Sequence, residues 1–138
     1  MSFPLTEPDL DDELLAPYWE GFRDEEIRLP ECTDCGEFHW YPRPMCPHCQ
    51  SKAIEWAAID GDVTLFTWVE LVYDFGLSFL EDRVPLYTGL AIPDADDSIR
   101  LVVAIDVEDG EPEIGMRLTP EFVTGEGTDR TVPVYRPA

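Results

Sequence analysis

The chain has 138 residues, 44% of them hydrophobic and 12% aromatic, which is about one domain's worth of material with enough apolar surface for a packed core. Its 30 Asp and Glu against 9 Lys and Arg leave a formal charge of −21, a field that repels phosphate backbones and anionic lipid. No apolar run approaches the ~20 residues that span a bilayer, and the N-terminus has no basic stretch leading into an apolar one. The expected compartment is therefore the cytoplasm.

Residues 1–13 read as an acidic arm in which Asp9, Asp11 and Asp12 offer helix-start signals. Leu14, Tyr18 and Phe22 then recur at i+4, with Leu15 and Trp19 beside them, and this stripe predicts a helix. Pro17 suits a first turn and not a helix interior, so the helix is expected from near Pro17 to Arg23–Glu26. So short a helix is unstable alone, and its aromatic face must dock on something.

Periodicity vanishes over residues 30–50, where proline, cysteine and aromatics dominate. Cys32-Thr-Asp-Cys35 and Cys46-Pro-His-Cys49 are two C-x-x-C pairs with ten residues between them. Two residues between cysteines let one tight turn aim both thiolates at a single ion, and two such knuckles complete the tetrahedral shell that Zn²⁺ prefers. Gly36 stands where a knuckle calls for positive φ. A redox pair needs no second copy, and a reducing cytosol opposes two disulfides. Iron in the same sulfur cage, as in a rubredoxin-like electron carrier, is the rival that the ligands alone leave open. His39 and His48 are spare ligands, read as bystanders on the knuckle surfaces because four thiolates already close the shell. The intervening loop, residues 37–45, is apolar enough that it must pack on the rest of the chain or on a partner.

From Ile54 the chain becomes β-like. Val63–Tyr73 alternates with bulk on both faces and predicts a long, curved strand buried on much of both sides. Leu86–Ile92, Arg100–Val107, Arg117–Thr124 and Thr131–Tyr135 are further strands, separated by turn signals at Pro93-Asp94, Asp96-Asp97, Glu108–Pro112 and Gly125–Gly127. Five or six short strands in this length predict a small barrel or sandwich.

Pro17-Tyr-Trp-Glu-Gly-Phe22, Cys32-x-x-Cys-Gly36, Tyr41-Pro-Arg-Pro-Met-Cys-Pro-His-Cys49, Glu55-Trp56 ahead of Gly61, and the ending Val132-Pro-Val-Tyr-Arg-Pro137 together resemble the DUF35 family across nearly the whole chain. Gln50 departs from the glycine that the family often places there, which leaves the turn after the second pair open. The resemblance implies a mainly β fold: an acidic arm and N-terminal helix (1–29), a rubredoxin-like zinc ribbon (30–53) with Cys32, Cys35, Cys46 and Cys49 as ligands, and an OB-fold barrel (54–138). It further implies a non-catalytic companion of thiolase-like acyl-CoA enzymes, such as the lipid-transfer-type aldolases of steroid side-chain degradation, in a hetero-oligomer with acyl-CoA near the interface.

The residues agree with that implication in one respect. No cysteine lies outside the metal set, and there is no G-x-S-x-G, H-x-x-E or glycine-rich phosphate loop, so no catalytic residue is assigned. Tyr18, Trp19, Phe22, Trp40 and Tyr41 are aromatic anchors of the kind that dominate interfaces, with core packing as the alternative. Direct acyl-CoA binding by the barrel would draw on Arg43, Arg83, Arg100 and Arg117 for the phosphates, but they are scattered and the charge of −21 opposes a polyanion. Nucleic-acid binding, with Trp56, Phe66 and Trp68 as base-stacking platforms, meets the same objection. The segment Tyr73–Val84, long for a barrel connection, is expected to reach toward a partner's acyl-CoA entrance.

Overall fold

The computed structural model describes residues 13–73, 76, 85–124 and 131–138. The arm with Asp9, Asp11 and Asp12, nearly all of the Tyr73–Val84 segment including Arg83, and the turn at 125–127 lie outside the described residues.

The helix α1 spans Ala16–Arg23 with Pro17 in its first turn, where its missing N–H costs nothing. Its C-terminus closes with two bonds, Glu26 N–H to Gly21 O and Glu25 N–H to Phe22 O, and Glu25 takes the left-handed conformation (φ 57°) that such a cap requires. Arg28 folds back over this end, pairing with Asp24 at 2.7 Å and Glu26 at 2.8 Å.

Strand β1 (Ile27–Cys32) pairs antiparallel with β2 (Ile54–Ile59), from Ile27 opposite Ile59 to Cys32 opposite Ile54. β1 is absent from the sequence reading because Pro30 interrupts it. A two-stranded sheet has two edges, and Pro30 accepts an amide bond from His39 through its carbonyl without ever needing to donate. The boundaries drawn at 30 and 54 therefore meet paired strands: β1 runs across the first, and β2 begins at the second.

Strands β3 (Val63–Leu71), β4 (Leu86–Pro93), β5 (Leu101–Ile105), β6 (Arg117–Thr124) and β7 (Thr131–Pro137) close an OB-like barrel in the order β3-β4-β5-β7-β6. The β5–β7 contact is parallel and narrow, Ile105 opposite Tyr135. The ladder between β3 and β4 slips at Phe66, a bulge between Leu65 and Thr67 that supplies the expected curvature. Gly89 pairs with Trp68 just past this bulge, where a Cβ would meet the Thr67 carbonyl oxygen at 2.3 Å. The expectation that β3 is buried on both sides needs correction. Val63 and Leu65 are buried, but Phe66, Val69 and Val72 are exposed.

One apolar core joins the parts. Tyr18 and Phe22 of α1 and Ile27 and Leu29 of β1 pack with Leu65, Leu101, Leu118 and Tyr135 of the barrel. Among the described residues no helix is long and apolar enough to cross a membrane.

Candidate metal centre

The first knuckle grows from the end of β1. Cys32 N–H donates to Glu37 O at 2.9 Å, and Gly36 N–H donates back to Cys32 O at 2.8 Å. The second repeats this pattern: Cys46 N–H to Ser51 O at 2.7 Å and Gln50 N–H to Cys46 O at 2.9 Å. The residue after each second cysteine is left-handed, Gly36 at φ 76° and Gln50 at φ 63°. Gln50 thus makes the glycine-type turn without being glycine. Asp34 and Ser51 then tie one knuckle to the other through their side chains, and Thr33 N–H donates to Ala53 O at 2.9 Å.

These turns bring the sulfurs of Cys32, Cys35, Cys46 and Cys49 within 4.8 Å of one another. Cys32 Sγ lies 3.6 Å from Cys49 Sγ, and Cys35 Sγ lies 3.7 Å from Cys46 Sγ. A disulfide holds its sulfurs near ~2.05 Å. Four sulfurs at Zn–S distances of ~2.3 Å in a tetrahedron lie ~3.8 Å apart, so the donor set fits zinc. Backbone amides point at the sulfurs, as a thiolate cage requires: His48 N–H lies 3.3 Å from Cys46 Sγ. The Cys35 amide, with the Asp34 amide adding and desolvation opposing, pulls the Cys32 thiol down to about 7. Although the Glu37 amide lowers it, desolvation and the neighbouring thiols push Cys35 up to about 12. Four adjacent thiols resist ionising together, and a divalent cation removes that conflict by holding all four as thiolates. Bound there, zinc supplies structural cross-linking with no open coordination position.

The histidines do not join the cluster. His48 is exposed, with Nε2 3.3 Å from Phe38 O. His39 is not on a knuckle surface as expected: it is buried, and neither ring nitrogen has a hydrogen-bond partner. Burial, assisted by His48 and Arg43, lowers its pKa and keeps it neutral.

The five aromatic anchors divide. Tyr18 and Phe22 are buried inside the chain, Tyr18 with its ring 4.6 Å from Trp40 and 4.7 Å from Phe22. Trp19 and Trp40 are half-buried against the same core, while Tyr41 is 54% exposed. Loop 37–45 therefore packs on the body of the chain through Phe38 and Trp40, with Tyr41 and Met45 left outside. Trp56 and Trp68 also pack against the core.

Residues 19–55 match the family model described as the ChsH2 rubredoxin-like zinc ribbon domain. This segment is a rubredoxin-like zinc ribbon. The whole fold is similar to a solved chain of the Ltp2–ChsH2(DUF35) aldolase, with a TM-score of 0.82 and 21% identity over 95% of this chain and 98% of that one. It is also similar to a DUF35-family protein of unknown function from Sulfolobus solfataricus, with a TM-score of 0.61 and 16% identity over 92% and 87% of the two chains. No curated protein matches the sequence. The ribbon and the barrel thus occur together in DUF35 proteins, as the sequence resemblance implied.

Of the four candidate phosphate-binding arginines, Arg100 and Arg117 are engaged by this chain's own groups, and Arg83 lies outside the described residues. Arg117 forms a two-pronged pair with Asp94, both bonds 2.6 Å, and also donates to Thr64. Arg100 lies 4.4 Å from the centre of the Phe66 ring and donates to the carbonyls of Asp97 and Ile99. An open cleft of about 480 Å³ between the ribbon and the barrel is lined by Gly36, Glu37, Phe38 and residues 94–97, three of them aspartates. Its charge repels a nucleotide-like anion.

Proposed function

We propose that the chain is a non-catalytic accessory subunit of a thiolase-like acyl-CoA enzyme. In this reading it binds a lipid-transfer-type aldolase of steroid side-chain degradation in a cytoplasmic hetero-oligomer and supports the aldolase's assembly and substrate site. Cys32, Cys35, Cys46 and Cys49 hold one Zn²⁺ that fixes the ribbon, and the aldolase subunit supplies the chemistry. The observation that carries this reading is the likeness of nearly the whole chain, ribbon and barrel together, to the DUF35 component of an aldolase assembly. The engagement of Arg100 and Arg117 by this chain's own groups weighs against the barrel acting as a stand-alone acyl-CoA binder.

Co-expression with the Ltp2-type aldolase subunit of the same organism tests the proposal. The expected result is a complex that survives gel filtration, and aldolase activity that falls when this chain is withheld. A chain that elutes alone and leaves the aldolase's activity unchanged overturns it. Isothermal titration of the isolated chain with an acyl-CoA checks the alternative, and no heat at millimolar ligand is expected.

A further inference from the structure

The outer surface of a small barrel in so acidic a chain should be rich in carboxylates. One face is not. Across β3, β4 and β5 the cross-strand register places Thr67, Leu90 and Val102 in one row and Val69, Thr88 and Ala104 in the next. These positions alternate with the buried Ala91, Leu101, Val103 and Ile105, so they point outward. Val102 is 72% exposed, Val69 59%, and Phe66 at the bulge 47%. Leu71 opposite Leu86 extends the strip. None of these residues is acidic, although Asp and Glu supply 30 of the 138 residues. Among the described residues acids flank the strip at Asp96 and Asp97 in the turn after β4 and at Asp106 just past β5, while Glu70 alternates with Val69 and Leu71 onto the opposite face.

We propose that this face, centred on Val69, Leu90 and Val102, is the surface on which the aldolase subunit docks. The inference rests on the accessory-subunit reading and goes further by naming the contact. A contiguous apolar strip rimmed by charge marks a protein contact, and its extent suits the centre of a standard interface of roughly 20–30 residues a side. Charge decides the occupant. A second copy would bring another −21 against the first, with Asp96 and Asp97 at the rim of each. The fitting partner is a different subunit with an apolar centre and basic groups placed to meet those rim acids.

The test uses the full-length chain with the Ltp2-type aldolase subunit of the same organism, measured by gel filtration with light scattering and by binding titration. Val102→Glu leaves the fold intact, because the side chain is in water in the free chain, and should weaken the complex by at least about tenfold. Ala58→Glu, at an exposed site on β2 of the two-stranded ribbon sheet and so outside the β3–β5 face, should bind as the unsubstituted chain does. Amide exchange in the unsubstituted complex should show new protection over 86–92 and 101–104. If the complex forms but Val102→Glu binds with full affinity, this docking face is wrong and the accessory-subunit reading stands. If the unsubstituted chain does not bind the aldolase at all, that reading fails and this inference fails with it. A homodimer that Val102→Glu dissociates would overturn the proposed occupant in favour of a second copy.

Discussion

The ribbon and the barrel are stabilised in opposite ways. From Thr33 to Ala53 the ribbon has few buried side chains, and its geometry is set by paired turns around four sulfurs. The barrel has no such cross-link and relies on a closed hydrogen-bond ladder around aliphatic residues such as Leu65, Leu101 and Leu118. One region is thus specified by ligand chemistry and the other by burial, and the two should fail under different insults.

The largest effect is expected from the metal. Removing zinc with a strong chelator, or replacing Cys35 with Ser, should collapse the near-ultraviolet signal of Trp40 and Trp56 and abolish amide protection over 27–32 and 54–59. The strands from β3 to β7 should keep theirs. Simultaneous loss across both regions would instead mean that they unfold as one unit. In the barrel, Leu118→Ala removes a fully buried side chain and should cost about 2–5 kcal/mol in a denaturant titration, with zinc content unchanged.

A smaller effect is expected from acid. The Arg117 guanidinium holds the Asp94 carboxyl below its usual value, and Arg136 does the same for Glu121. Both carboxyls have folded pKa values lower than their unfolded ones, so their contribution is complete above the ordinary carboxylate range near ~4 and is lost as pH falls through the depressed values. Melting temperature measured from pH 7 to pH 3 should fall at the acid end, and Arg117→Met should flatten part of that slope. The smallest effect has the opposite sign. A left-handed non-glycine residue costs about 1–2 kcal/mol, and glycine's extra chain entropy costs about 0.5–1 kcal/mol. Gln50→Gly should therefore gain up to about 1 kcal/mol, read as tighter zinc retention against a competing chelator.

The same contrast explains what was legible in the sequence. Cysteine spacing is a local signal, and Cys32, Cys35, Cys46 and Cys49 meet where it placed them together. Strands β3, β4, β5, β6 and β7 all lie where the sequence predicts strands, and alternation is clearest in β5. β1 was missed because pairing with β2 across the metal loop is a tertiary fact that a strand containing Pro30 does not announce. The bulge at Phe66 left no mark beyond a residue of the wrong size on the wrong side. Bulk on both faces of β3 was read as burial on both faces, whereas Val69 carries its apolar group outward. Tyr18 and Phe22 show the converse ambiguity: an aromatic stripe looks the same whether it faces the core or a partner, and here the core takes both.

The pairing of β1 with β2 has a practical consequence for anyone dissecting the molecule. The two strands lie on either side of the metal loop, so a fragment beginning at residue 54 would keep β2 and lose its neighbour. Its bare backbone edge, with Trp56 and Ile59 stripped of cover, would be a template for sticking to other fragments. A cut near residue 24, between α1 and β1, spares that edge but strips Tyr18 and Phe22 from the barrel. The molecule offers no clean seam, and its parts are best studied by substitution within the intact chain.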